Sequence, residues 1–261
     1  MDAQKPPVFF SVIGGQNGST TIDPMFLVQH GQIFPIPDPC SDTNPASIHF
    51  FKTFLSPGSK YHFIFGGTTA GTISVLRNTN DGDFPAKLNS TIKLQNLQMG
   101  LATNSEDFSR IGTERRSPTQ SEVNLTLRIA GKLFREHGVS GEDVRRMHAV
   151  QATIVKMSAL SHIQIIATVT IPRKDGMGLQ DSLFFVNGIN HDEKPSFIWY
   201  HHSKDETDGR MILYVDQLNL SPQENEFVTR EVFYENYRYQ IFKKTNNGWR
   251  KTFETEIFGC L

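Results

Sequence analysis

The most polar local constellation in the sequence is Asn190-His191-Asp192-Glu193, followed after five residues by Trp199-Tyr200-His201-His202 and then Asp205. Imidazoles and carboxylates this close in the chain suit a zinc-like or iron-like cation, or proton transfer in acid–base catalysis. The candidate metal ligands are His191, Asp192 and His201. Together with His202 the same region defines a candidate hydrolase centre. On a strand over Phe197 to His201, His201 and His202 point to opposite faces, so only one of them joins His191 without a bulge. The competing expectation is a charged turn whose two adjacent histidines are simply solvated.

A second candidate is aromatic. Phe233-Tyr234, Tyr237, Tyr239, Phe242, Trp249 and Phe253 crowd the C-terminal part of the chain. Tyr237 and Tyr239 share one face of a strand. With Trp249 they form a candidate ligand-binding row, suited to stacking on a sugar or gripping a peptide. The alternative is ordinary cross-strand packing, which aromatic pairs stabilise by ~0.2–1 kcal/mol.

Other patterns fall short of a known chemistry. Gly66-Gly67-Thr68-Thr69-Ala70-Gly71-Thr72 looks like a phosphate loop, but a P-loop needs lysine after its second glycine and then a helix. Thr72 stands in the lysine place, and Ile73-Ser74-Val75 continues as a strand. Gly14-Gly15-Gln16-Asn17-Gly18 fits no dinucleotide fingerprint. Asn219 to Glu226 resembles a degenerate D-x-D-x-D-G cation loop of secreted bacterial β-rich proteins, with serine, glutamine and asparagine in place of acids. That likeness covers about fifty residues from Arg210 and defines no family; tight calcium is not expected there. There is no G-x-S-x-G. Cys40 and Cys260 are the only cysteines, so no CxxC zinc pair exists and no cofactor is expected.

Composition narrows the partners. Among 261 residues, 26 Lys and Arg against 27 Asp and Glu leave a net charge of −1. That excludes a strongly basic nucleic-acid binder and a polybasic membrane-surface protein. No run of ~18 apolar residues exists, so no membrane-spanning helix is expected. The partner is expected to be a protein or a carbohydrate ligand. The opening MDAQKPPVFF lacks the charged start and apolar core of a signal peptide. Either the protein is cytoplasmic, or it is periplasmic or secreted and its leader has been removed. A Cys40–Cys260 disulfide fits export, and its long loop sets an upper limit of about 5 kcal/mol; two unconnected thiols are the alternative.

The elements that must position these residues are mostly strands. Twenty phenylalanines suit half-buried sheets. Val8 to Ile13 forms a strand before Gly14-Gly15, and Met25–Val28 and Gln32–Ile36 form two more about a tight turn. Ser41 to Pro45 is a loop. Tyr61–Phe65 and Thr72–Leu76 make a hairpin across the glycine-rich connector. Leu125, Ile129 and Leu133, widened by Val123, Leu127, Ala130 and Phe134, give one long amphipathic helix near residues 119–137. Thr119 or Ser121 caps its start, Gly138 follows its end, and a shorter helix runs from Ser140 to Met147. Beyond Val150, β-branched runs recur at about ten-residue spacing, the mark of an antiparallel meander.

The fold class is therefore α+β, mainly antiparallel β, as a meander sheet or sandwich with that helix. Residues 1–115 form a turn-rich β region and 116–261 the helix plus sheet, as two parts or one continuous domain. The function expected is a non-catalytic binding or structural protein of an exporting bacterium. The competing class is a metal-dependent or acid–base hydrolase at His191, Asp192, His201 and His202. A third reading is a cytosolic protein that assembles through an exposed strand edge.

Overall fold

A computed structural model of the chain describes residues 5–37, 43–77, 84–108, 113–157, 162–189, 194–218, 220 and 225–258. Its N-terminal part comprises strands β1 (Val8–Gly14), β2 (Thr20–Gln29) and β3 (Gln32–Pro35), helix α1 (Pro45–Phe54), and strands β4 (Lys60–Phe65), β5 (Thr68–Val75), β6 (Phe84–Ser90) and β7 (Met99–Thr103). The antiparallel order β1-β7-β4-β5-β6-β2 closes through pairing of β2 with β1, giving a six-stranded barrel with β3 as a flap on β2. Closure removes the sheet edges that a meander would leave open. The unbroken apolar run VFFSVI matches its burial, since β1 is buried on both faces nearly throughout.

Two local expectations change here. Pro45 does not end a loop; it occupies the first turn of α1, where its missing N–H costs nothing, and Asn44 caps that turn by accepting from the Ala46 N–H at 2.9 Å. Phe50 and Phe54 bury one side of α1, and the Tyr61 hydroxyl donates to the Phe54 carbonyl. The glycine-rich connector is also shorter than expected. Only Gly66-Gly67 turn the β4–β5 hairpin, both at positive φ, as a two-residue primed turn requires. Thr68 to Gly71 already belong to β5.

The rest of the chain forms two open antiparallel meanders. The first contains β8 (Glu114–Arg116), helices α2 (Gln120–Glu136) and α3 (Gly141–Val144), then β9 (His148–Lys156), β10 (Gln164–Pro172), β11 (Leu179–Gly188) and β12 (Phe197–His202), in the sheet order β12-β11-β10-β9-β8. The second is β13 (Met211–Leu218), β14 (Glu226–Val232), β15 (Tyr237–Thr245) and β16 (Gly248–Glu254), in sequence order. The α2 N-terminus carries a full capping box, Thr119 with Glu122. Arg116 grips Glu122 at 2.6 and 2.7 Å, which holds that carboxyl down at about 2. No helix among the described residues is long and apolar enough to cross a membrane.

Four layers result. Ala130, Leu133 and Phe134 of α2 pack on Ile154, Ile165, Val169 and Phe185 of the five-stranded sheet. The opposite face of that sheet, with Val155, Ile166 and Phe184, packs on Ile212, Tyr214, Phe227 and Phe242. The far face of the four-stranded sheet, with Leu213, Val215, Val228 and Ile241, shares the barrel core. Both faces of that sheet are thus buried, which is why its strands read as dense aromatic and aliphatic runs.

Where the layers meet lies an ion pair, Arg115 Nη1 to Asp216 Oδ2 at 3.4 Å, with both side chains buried. Asp216 accepts the Gly66 N–H at 2.9 and 3.0 Å and its neighbour Gln217 N–H at 2.7 Å. Arg115 donates to the carbonyls of Met99 at 2.7 Å and Val215 at 2.6 Å, between the rings of Phe65 and Tyr214. A Cβ on Gly66 would lie 2.7 Å from the Arg115 Cβ, at a φ of +68°.

Gly66→Ala is therefore expected to cost at least about 2 kcal/mol, from left-handed strain and overpacking together. Arg115→Met is expected to cost about 3–5 kcal/mol, because Asp216 is left buried and unpaired. Chemical denaturation measures both. Burial also pushes the Asp216 carboxyl up to about 6 against the pull of Arg115. Between about 4 and about 6 the folded chain holds a proton that the unfolded chain has released. This group's contribution to stability thus falls as pH rises through that window and is level above it. Urea unfolding at several pH values should show that decline in the wild type and lose it in Asp216→Asn.

Candidate functional site

The candidate site lies on the α2 side of the five-stranded sheet, where β11 and β12 run beyond the end of the helix. Cross-strand register pairs Asp181 with His202 and Leu183 with Tyr200. Alternation puts Tyr200 and His202 on the helix side and Trp199 and His201 on the other. Asp181 shares its face with Leu183 and Phe185, so its carboxylate sits at the margin of an apolar layer and is 1% exposed.

Its Oδ1 accepts the Tyr200 hydroxyl at 2.7 Å and the His202 Nδ1–H at 2.8 Å. Nδ1 as donor leaves Nε2 of the neutral ring as an acceptor. The His202 side chain is 61% exposed. Asp181 Oδ2 is buried without a hydrogen-bond partner among the described residues. The Tyr200 ring is covered by His137, whose centroid lies 4.0 Å away at an interplanar angle of 10°. Gly138 follows at positive φ and turns the chain out of α2. Ser140 then caps α3, its hydroxyl donating to Asp143 Oδ2 at 2.7 Å and accepting the Asp143 N–H at 3.1 Å.

These groups, with Gln180, line a cleft of about 500 Å³. Burial raises the Tyr200 phenol well above its ordinary range, and Asp181 adds to this by hydrogen bond and charge. Tyr200 therefore serves as a donor. The Asp181–His202 pair has the geometry of a carboxylate-oriented imidazole.

The residues singled out by sequence fall in different places. His191 and Asp192 lie outside the described residues, as do Cys40, Cys260 and most of the loop before Glu226. His201 faces away from the cleft; its Nε2 meets the Asp208 carbonyl at 2.7 Å and its ring lies beside Trp199. Among the described residues, no three His, Cys, Asp or Glu side chains are placed to hold a metal.

The aromatic row is divided between two faces. Tyr237 and Tyr239 turn toward the barrel, where their hydroxyls donate to Asp23 of β2 at 2.9 and 2.5 Å. Tyr239 is fully buried, and Arg230 lies 3.8 Å above the Tyr237 ring. Trp249 packs instead on Phe227, toward the five-stranded sheet.

Asp181 is the residue sequence reading passes over. Its signal is a charged residue at a core-facing position of the run LQDSLFFVNG. Comparison with family models, curated proteins and solved structures finds no match to this chain.

In a spectrophotometric titration Tyr200 is expected to ionise later than an ordinary tyrosine. Asp181→Asn should bring it part of the way back, because a neutral amide removes the charge but leaves the burial. An unchanged titration would show that the carboxylate does not reach the phenol.

Proposed function

We propose that this chain is a non-catalytic binding protein, and that the His202 cleft takes a hydroxyl-rich ligand of the carbohydrate class. The observation that carries this reading is the arrangement about Asp181: one oxygen holds Tyr200 and His202 in place, and the other is a buried acceptor with no partner. Asp181 lines the cleft, so a ligand hydroxyl that displaces the atoms covering its second oxygen would give that buried acceptor its missing donor. The exposed Nε2 of His202 supplies an acceptor beside it. Orientation before binding lowers the ordering cost that otherwise weakens a polar ligand. The cleft's volume falls within the range of small-molecule sites. Export from a bacterium remains part of the proposal; it rests on the strand-rich architecture and predicts a Cys40–Cys260 bond. Counting free thiols under denaturing, non-reducing conditions tests it, and two free thiols would count against it.

A second reading follows from the Asp181–His202 pair. His202 Nε2, oriented by Asp181, has the form of a general base that activates water for hydrolysis. Ser140, the hydroxyl at the same cleft, is committed to capping α3, which favours water over serine as the nucleophile on this reading.

One experiment separates the two. A panel of oligosaccharides is titrated calorimetrically, and the same compounds and generic esters are assayed for turnover. Binding without turnover, weakened roughly tenfold by His202→Ala in a variant that denaturation shows to be still folded at the assay temperature, is the expected result. Turnover abolished by His202→Asn would replace the binding reading with the hydrolytic one.

A further inference from the structure

The face of the five-stranded sheet that carries α2 is only partly covered. A helix is roughly 10 Å across, whereas five strands span roughly 20 Å, so one helix leaves about half the sheet open. The open part is a groove of about 580 Å³ between α2 and the start of β12. It shares no lining residue with the His202 cleft, and the stacked His137 and Tyr200 stand between Ile198 and His202 along that face.

Two stripes of α2 border this groove. Leu125 and Ile129, one turn apart and half-buried, continue the apolar side of the helix beyond its buried core. Opposite them on β12 stands Ile198, 40% exposed. Beside the apolar stripe run Arg128, Lys132 and Arg135, all exposed, and Lys194 closes the far side. Among the described residues Glu136 is the one acid lining the groove, and it reaches Lys132 only at 4.0 Å across solvent. Arg128, Arg135 and Lys194 have no acidic partner among the described residues. In a chain whose total charge is −1, four cations around an apolar floor are a local concentration.

We infer that this groove binds a single-chain anionic amphiphile, its tail lying on Leu125, Ile129 and Ile198 and its carboxylate or phosphate head held by Arg128, Arg135 and Lys194. Charge complementarity selects the head. The three aliphatic side chains gain from losing exposed area, at about 25 cal/mol per Å². Guanidinium groups meet carboxylate or phosphate oxygens with paired donors, which favours an anionic head over a neutral one. The groove is sized for one small molecule, so the ligand is the free amphiphile and not a membrane surface. This inference does not depend on the reading of the His202 cleft.

Dodecanoate and dodecyl phosphate, each kept below its micelle concentration, are titrated into the full chain by calorimetry. Dodecyltrimethylammonium and a neutral, sugar-free dodecyl ether of tetraethylene glycol serve as controls with a tail of the same length. One-to-one binding of the anions alone is expected. It should weaken roughly tenfold or more in Arg128→Gln/Arg135→Gln, whose exposed side chains leave the unfolding midpoint unchanged. Ile198→Asp, an independent variant on β12, should abolish it, while His202→Ala should leave it intact. Equal binding of the cationic or neutral amphiphile would overturn the inference. So would insensitivity to the arginine pair, or association with phosphatidylglycerol vesicles or a polyglutamate peptide in place of dodecanoate.

Discussion

Arg115 and Asp216 form the contact on which the arrangement of layers depends. Taking two charges out of water costs several kcal/mol for each ion, so the pair persists only where every remaining donor and acceptor is met. Here they are met by parts of all three sheets. The Gly66 amide comes from the barrel hairpin, the Met99 carbonyl from β7, and the Val215 carbonyl from β13. Arg115 itself belongs to β8, and its Nε reaches the Thr153 hydroxyl of β9 at 3.3 Å. Such a pair contributes more to choosing one arrangement than to total stability, because any other docking of the sheets strands a charge.

The same junction settles the edge of the four-stranded sheet. Among the described residues β13 has a strand partner only on the β14 side, so its outer N–H and C=O groups need other partners. Side chains provide them. The Gln151 amide accepts the Tyr214 N–H at 2.7 Å and donates to the Tyr214 carbonyl at 2.9 Å, reproducing one rung of a ladder. Thr168 donates to the Ile212 carbonyl and Arg115 to that of Val215. The strand bulges between Tyr214 and Asp216, which turns the carboxylate toward Gly66. On the barrel side, Asp23 forms a second clamp by accepting the hydroxyls of Tyr237 and Tyr239. The aromatic pair that invites a ligand-binding interpretation thus has a local physical use between barrel and sheet.

Legibility in the sequence follows the range of each interaction. α2 is readable because Leu125, Ile129 and Leu133 keep helical spacing and Thr119 with Glu122 closes a capping box; each signal lies within a few residues. The C-terminal hairpin is readable for the same reason, since Asn246-Asn247 is a two-residue turn between paired Thr245 and Gly248. α1 is less readable: its aromatic residues suit strand and helix alike, and only Asn44-Pro45 marks its start. Barrel closure is not local at all. β1 pairs with both β2 and β7, and nothing in the run VFFSVI distinguishes a strand with two neighbours from an edge. For Tyr237 and Tyr239 the period of two shows that they share a face, but a sheet buried on both sides gives that pattern no polar face to orient it. Asp181 is hidden for a related reason, because its partners lie 19 and 21 residues further on.

Core and periphery are consequently built on different principles. Four interior polar groups, Arg115, Asp216, Gln151 and Asp23, are satisfied by protein atoms and each joins two layers, whereas the buried hydroxyls of Ser11 and Thr229 have no partner among the described residues. The polar groups beside α2 are satisfied on one side only: Asp181 holds Tyr200 and His202 but keeps one oxygen without a partner, and Arg128 and Arg135 extend from the helix over an apolar floor. A group satisfied on all sides confers rigidity and has nothing left to offer a ligand; a group fixed on one side keeps bonding capacity for one. The five-stranded sheet separates the two kinds of group. Its inner face is locked to the four-stranded sheet, so the outer face can carry exposed charge and a partly open apolar surface without loosening the sheet. On the proposed reading, recognition falls on that face, where α2 and β12 can vary while the Arg115–Asp216 junction holds the frame.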